Sequence, residues 1–253
     1  MRLHASQNQL LCALPTLDGQ RLLPSLEWVA LRRGAHLYEA GAALRHVYFP
    51  ATAVVSLTAA MQDGGSAEIA VVGNEGIVGV CAFMGASSSL SSAVVLGEGH
   101  GWRMNASALQ AAARQSAPLM QGLLGYTQVL FAHMAQTSVC GKSHALDQQL
   151  CSWLLQHLDR LQGDELQVTQ ERIAQMLGVR REGVTMGAGR LQKAGLISCG
   201  RGRIQVLDRA GIEARSCECY AVVKGAYERL ASHGSAIGQK LPSRMGAPFL
   251  QAA

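Results

Sequence analysis

The sequence predicts an α+β fold: an N-terminal β-roll of the jelly-roll kind, a long dimerisation helix, and a C-terminal winged helix-turn-helix. Three observations carry that reading. Residues 27–105 alternate short β-prone runs with glycine-bearing turns. From Met120 to Thr137 apolar or small positions recur at steps of three and four. Residues 168–206, VTQERIAQMLGVRREGVTMGAGRLQKAGLISCGRGRIQV, read as helix, tight turn, helix and hairpin.

Residues 1–24 read as a short helical entry, with Leu10, Leu11 and Leu14 on one side. Strands are expected at Trp28–Leu31, Val47–Phe49, Ala53–Ala60, Ala67–Val72, Ala93–Leu96 and Gly101–Met104. Glycines separate them, and Asp63-Gly64-Gly65 is a hairpin signal. Many short strands with regular turns point to a β-roll or barrel. Ser107–Gln115 then reads as a helix, and Pro118 suits the first turn of a longer one, where its missing N–H costs little. Met120, Leu123, Thr127, Leu130 and Met134 form an a/d seam on that helix, the pattern of a two-helix coiled coil. The competing reading is that the stripe packs on the β-roll; apolar Leu119, Leu124, Val129 and Phe131 elsewhere on the helix indicate both. Gly141 and Lys142 mark a bend, and Leu146, Leu150, Trp153 and Leu158 make the core face of the next helix.

In the helix-turn-helix, Thr169 caps the first helix, Ile173 and Leu177 form its buried face, and Gly178 ends it. Val184, Ala188 and Leu191 form the inner face of the second helix, which leaves Arg181, Glu182, Thr185, Met186 and Gly189 opposite. Gly183, Gly187 and Gly189 each cost about 1 kcal/mol against Ala, so the isolated helix is expected to fray until it meets DNA. A further helix after Asp208 is expected to end near Leu230. The domains expected are 1–117 for the β-roll, 118–142 for the dimerisation helix, 143–231 for the winged helix-turn-helix and 232–253 for a flexible tail.

Hydrophobic residues make up 49% of the 253, enough to bury real cores. The net charge of +5 is uneven: residues 1–163 are neutral overall, and the whole excess lies in 164–253. A basic back half coinciding with a helix-turn-helix points to double-stranded DNA. Seven cysteines without a regular framework read as reduced thiols, and no signal peptide or membrane span is visible, so a cytoplasmic location and no membrane partner are expected.

A β-roll, a long helix and a winged helix-turn-helix in that order resemble the Crp/Fnr family of bacterial transcription regulators. The residues carrying the resemblance are VTQERIAQMLGVRREGV (168–184), GRLQKAGLI (189–197) and the strand–turn pattern from Trp28 to Asn105. The resemblance implies a homodimer on a palindromic site, with RNA polymerase as a further partner, and an effector pocket between β-roll and long helix. That pocket would draw on Gly79, Val80, Ser91 and Ser92, with Thr127 from the helix. The DNA-facing set would be Thr169, Gln170, Arg180, Arg181, Glu182, Thr185, Met186, Arg190, Arg201 and Arg203.

Two departures from the family pattern stand out. Members that bind cyclic AMP hold its phosphate with an Arg-Ser pair and its ribose with a Glu after a Gly. Here Val80 follows Gly79, and the pair reads Ser91-Ser92. A buried phosphodiester without its cation is poorly compensated, so cyclic AMP is not the expected effector, and the residues name no other. In the recognition helix Glu182 stands where members commonly read bases, but Met186 replaces the Arg four residues on, so the half-site should differ.

Other chemistries find little support. An iron–sulfur cluster needs an N-terminal cysteine group, and only Cys12 lies there. Haem would call on His36, His46, His100 or His133, and isolated histidines are usually satisfied surface or core residues. Cys217-x-Cys219 lacks a partner pair for zinc, so no metal is assigned. A cupin-like metal enzyme would need an H-x-H cluster that is absent, and no Gly-x-Ser-x-Gly or P-loop occurs, so the chain is not read as an enzyme. The alternative kept is a regulatory interaction module that does not bind DNA.

Overall fold

The computed structural model describes residues 7–61 and 65–237. Two short helices, α1 (Gln9–Cys12) and α2 (Thr16–Leu22), lead into seven strands: β1 (Leu26–Leu31), β2 (His36–Tyr38), β3 (His46–Pro50), β4 (Val54–Ala60), β5 (Ser66–Val72), β6 (Ser92–Gly97) and β7 (Gly99–Asn105). They form two antiparallel sheets, ordered β1-β7-β3 and β2-β6-β4-β5. β4 and β5 pair out to Ala60 and Ser66, although residues 62–64 of the expected hairpin turn lie outside the described residues. All six expected strands are present within a residue or two; β2 was not expected, because three residues carry no alternation to read. Aromatic cross-strand packing reinforces the first sheet: Trp28 lies opposite Trp102, ring centroids 5.0 Å apart, and stacks on His100.

Asn105 caps α3 (Ala106–Gln115), and Ser116 caps α4 (Ala117–Ser143), its hydroxyl accepting from Leu119 N. α4 lies across the β-roll and buries Leu119, Leu123, Tyr126 and Leu130 in the same core as Phe49, Ile77 and Trp102. Leu123 is 0% exposed, Thr127 4% and Leu130 1%, all within one chain. The a/d seam expected to meet a partner therefore faces inward, and Met120 and Met134 pack on its margins. The exposed apolar residues of α4 are Leu124, Phe131 and Val139 instead. An apolar helix carries more than one apolar stripe, and the β-roll takes the first.

The chain turns at His144–Ala145 into α5 (Leu146–Leu158). A second core collects Leu150, Leu154 and Leu155 with Ile173, Val184, Leu191, Ile197 and Ile204. It joins α6 (Gln170–Leu177), α7 (Arg181–Lys193) and a sheet of β8 (Glu165–Leu166), β10 (Arg203–Val206) and β9 (Ile197–Gly200). The single helix expected after Asp208 is two, α8 (Arg209–Arg215) and α9 (Glu218–Ile237), broken at Ser216–Cys217. α9 runs past the tail boundary expected at residue 232. It also packs along α4 rather than solely with the helix-turn-helix: Tyr227 meets Tyr126 and His133, and Leu230 approaches Gly125. No helix among the described residues is long and apolar enough to cross a membrane.

Candidate nucleic-acid interface and the domain junction

Thr169 opens α6 as expected: its hydroxyl accepts from Arg172 N at 3.1 Å. Gly178 ends the helix at φ +64°, a conformation that costs glycine little. The chain then re-enters helix at Arg180, whose extended backbone starts α7. Val184, Ala188 and Leu191 are 0–1% exposed, so the inner face is as read. Arg181, Glu182, Thr185, Met186 and Gly189 are exposed on the other side, Met186 at 62%. Thr185 Oγ1 donates to Gln170 Oε1 at 2.8 Å, tying the two helices at their outer edge. Arg181 lies 3.5 Å from Glu171, both exposed, a weak pair that can open.

Arg190 is a different case. Its Nε and Nη2 grip both oxygens of Asp147 on α5, at 2.7 and 2.5 Å. That bidentate hydrogen bonding holds the Asp147 carboxyl below the usual carboxylate range. Arg190, expected among the DNA-facing residues, thus anchors α7 to α5. Two of the α7 glycines have a packing reason: a Cβ at Gly183 would stand 2.8 Å from Leu146, and one at Gly187 3.0 Å from Asp147. They admit α5 at close range, while Gly189 faces open space. In the wing, Arg201 is exposed beside Gly202 at φ +71°, and Arg203 lies 3.8 Å from Glu165 of β8.

Each of the five expected effector residues has local contacts of its own. Gly79, at φ +98°, packs on Val47, and Val80 opens a single 3₁₀ turn. Ser91 bonds Ser89, and Ser92 Oγ bonds the Glu39 carboxylate at 3.0 Å. Thr127 donates to the Leu123 carbonyl of its own helix. Beside the glycine turn 73–76, Tyr126 fills the space: it is wholly buried and its ring lies on Gly76. The Tyr126 hydroxyl has no hydrogen-bond partner among the described residues. The four histidines named for haem stand on separate elements. His36 pairs with Glu39, and His133 is buried with Nε2 2.7 Å from Gln156 Oε1 and Nδ1 3.2 Å from the Tyr227 hydroxyl. Burial, helped by the Arg160 charge, pushes the His133 pKa down to about 3, so the ring is neutral, Nε2 donates and Nδ1 accepts.

Sequence reasoning missed the junction between the two cores, which is polar and buried. Glu68, 8% exposed on β5, accepts from Ser56, from Trp153 Nε1 at 2.9 Å and from His157 Nε2 at 3.3 Å. Glu75 in the glycine turn meets Arg160 just beyond α5, Nε to Oε1 2.6 Å, and the guanidinium lies 4.9 Å from the centre of the Tyr227 ring. Burial opposes that charge, but Glu75 outweighs it and holds Arg160 protonated above its ordinary range. A charge inside the apolar run AEIAVV was the available signal for Glu68. A cavity of about 310 Å³ opens here, bounded by Ile69, His133, Cys140, Trp153, Met176 and Cys219. Cys217 and Cys219 are not isolated either: Cys140 and His144 stand beside them.

A β-roll joined by a long helix to a winged helix-turn-helix is the architecture of a DNA-binding transcription regulator. Residues 28–116 match the cyclic nucleotide-binding domain family, and residues 148–215 match the Crp-like helix-turn-helix domain. The chain belongs to the Crp/Fnr family of transcription regulators, which are not enzymes. The sequence has no significant match among curated proteins. Solved structures similar in fold include a protein from Eubacterium rectale assigned to the Crp/Fnr family (TM-score 0.67, 18% identity, 83% of this chain and 98% of that one). FixK2 from Bradyrhizobium japonicum follows (0.65, 17%, 76% and 98%). The c-di-GMP-responsive global regulator CLP of Xanthomonas campestris is a third (0.60, 15%, 75% and 97%).

Proposed function

We propose that the protein is a homodimeric, cytoplasmic transcription regulator. It reads a two-fold-related DNA site with α7, grips the backbone with the wing and the start of α6, and answers to an effector other than cyclic AMP. The observation that carries this is the exposed, basic opening of α7. Arg180, Arg181, Glu182, Thr185 and Met186 project from a helix whose other face is locked in the core. Thr169 and Gln170 supply hydroxyl, amide and backbone N–H groups at the α6 N-terminus for phosphate. Arg201 and Arg203 extend the same surface. RNA polymerase is the partner that a regulator of this family would address.

Two classes of variant separate the roles. Arg201→Ala with Arg203→Ala weakens binding to all sequences alike and reduces the salt slope by about one to two units. Glu182→Ala leaves the salt slope unchanged and relaxes base choice at one position per half-site, by about 1–3 kcal/mol. Binding-site selection with salt titration on both variants is the measurement. A Glu182→Ala protein that selects the wild-type site with undiminished stringency rules out this reading face, and absence of salt-dependent binding in the wild type favours a module that does not bind DNA.

A second copy is supported by the outer face of α4. Leu124, Gln128, Phe131, Ala135 and Ser138 are exposed at steps of four, three, four and three, with Val139 beside them. The helix has 27 residues and only Lys142 carries a full charge, which leaves this face poorly solvated in a monomer. Leu124→Lys with Phe131→Lys is expected to give a folded monomer at micromolar concentration where wild type is a dimer. Light scattering that finds wild-type monomer overturns the interface.

Cyclic AMP is disfavoured because the Ser91-Ser92 pair offers no cation for a phosphate and Ser92 bonds a carboxylate, Glu39, instead. Isothermal titration should show no binding in the micromolar range, and a micromolar dissociation constant would refute this.

A further inference from the structure

We propose that Cys140, His144, Cys217 and Cys219 form a tetrahedral zinc site that fixes the joint between the long helix and the DNA-binding domain. Their four candidate ligand atoms, three Sγ and the His144 Nδ1, all lie within 4.8 Å of one another. Cys140 Sγ stands 3.4 Å from Cys217 Sγ, and Cys219 Sγ 3.5 Å from His144 Nδ1. Four donors on one zinc at ordinary Zn–S and Zn–N lengths stand roughly 3.5–3.8 Å apart, so a small adjustment closes the site. A Cys₃His set is one of the usual structural zinc complements.

The surroundings fit a metal as well as the donors do. His144 turns Nδ1 to the sulfurs and Nε2 to Glu218 Oε1, 3.2 Å away, the carboxylate–histidine arrangement that orients a metal-binding imidazole. Gln136 Nε2 donates to Cys219 Sγ at 3.0 Å, and Ser152 Oγ lies 3.2 Å from Cys217 Sγ. Three thiolates against one Zn²⁺ leave a net charge of −1, which such donors offset. Cys140, Cys217 and Cys219 are 1–8% exposed, and the 310 Å³ cavity that reaches Cys140 and Cys219 supplies a path in. A Cys140–Cys217 disulfide would use two of the four groups and give no role to His144 and its carboxylate.

The placement gives the site a task. Cys140 lies in the last turn of α4, and His144 is the first residue of the two-residue connection to α5. Cys217 and Cys219 open α9, and Ser152 beside Cys217 belongs to α5. One ion would therefore hold the long helix, its connection and the returning helix together, and the direction in which α5 leaves α4 would depend on its presence.

The test uses the full-length protein, purified without added metal and with reduced thiols. Elemental analysis should find about one zinc per chain. After removal of zinc, cobalt(II) should bind with the ligand-field and thiolate charge-transfer bands of a tetrahedral site. Cys217→Ser with Cys219→Ser should abolish both signals, and Cys199→Ser, on the wing, should keep them. Glu218→Gln should retain the stoichiometry but bind about tenfold or more weakly. Reduced wild-type protein that holds no zinc and gives no tetrahedral cobalt spectrum overturns the proposal without reference to any variant. So does as-isolated protein two hydrogens light, with Cys140 joined to Cys217 in peptide mapping.

Discussion

Replacing Arg160 with methionine will destabilise the protein by about 3–5 kcal/mol, the cost of leaving a buried carboxylate without its cation. The side chains of Arg160 and Glu75 are only 7% and 10% exposed, and the guanidinium also bonds the Gln156 carbonyl and covers Tyr227. Glu75 in turn accepts from Gly73 N at 3.1 Å, so its charge cannot swing out to water without opening the glycine turn. At about 2–4 °C per kcal/mol for a chain of this size, the melting temperature should fall by roughly 6–20 °C. The double variant Glu75→Gln with Arg160→Met removes the stranded charge, keeps an acceptor for Gly73, and should recover most of the loss. Thermal or urea unfolding of the three proteins decides it. A single variant as stable as wild type would mean that Glu75 is solvated in solution.

Gly76→Ala should cost about 3 kcal/mol or more, at the upper end of overpacking penalties. A Cβ there would lie 2.1–2.4 Å from Cε2, Cζ and the hydroxyl of Tyr126. Those atoms belong to a rigid ring that is 0% exposed, so neither partner can yield cheaply. Tyr126→Leu, combined with Gly76→Ala, should recover part of the loss because the two changes share one space. Calorimetry showing additive losses would place the ring elsewhere.

The elements most legible from sequence were those whose signals are local. Thr169, Gly178 and the Val184–Ala188–Leu191 stripe state their structure within a few residues, and the structure has each as read. Pro118 and the helix around it are equally direct. What failed was direction and distance. Periodicity found the stripe Leu123–Thr127–Leu130 on α4 but could not say whether a β-roll or a second chain covers it. The fraying expected of α7 rested on glycine propensity alone, whereas Gly183 and Gly187 serve the approach of α5. Arg190 was placed by its sign, and Asp147, 43 residues away, holds it. The Glu68 network spans 85 residues to Trp153, and Cys140 meets Cys217 across 77. No spacing rule reaches across such intervals, so a two-cysteine fragment looked partnerless.

The return of α9 along α4 also bears on how the chain is made. Tyr227 closes over His133 from 94 residues downstream. At about 5–20 residues per second, the ribosome leaves that side of the long helix bare for roughly 5–20 s after it emerges. The β-roll can fold during that interval, but the helix that covers α4 is unfinished until residue 237 has been read. A message cut short before residue 218 would yield a chain whose long helix is uncovered and whose second core lacks Tyr220, a substrate for chaperones and proteases rather than a shorter working protein.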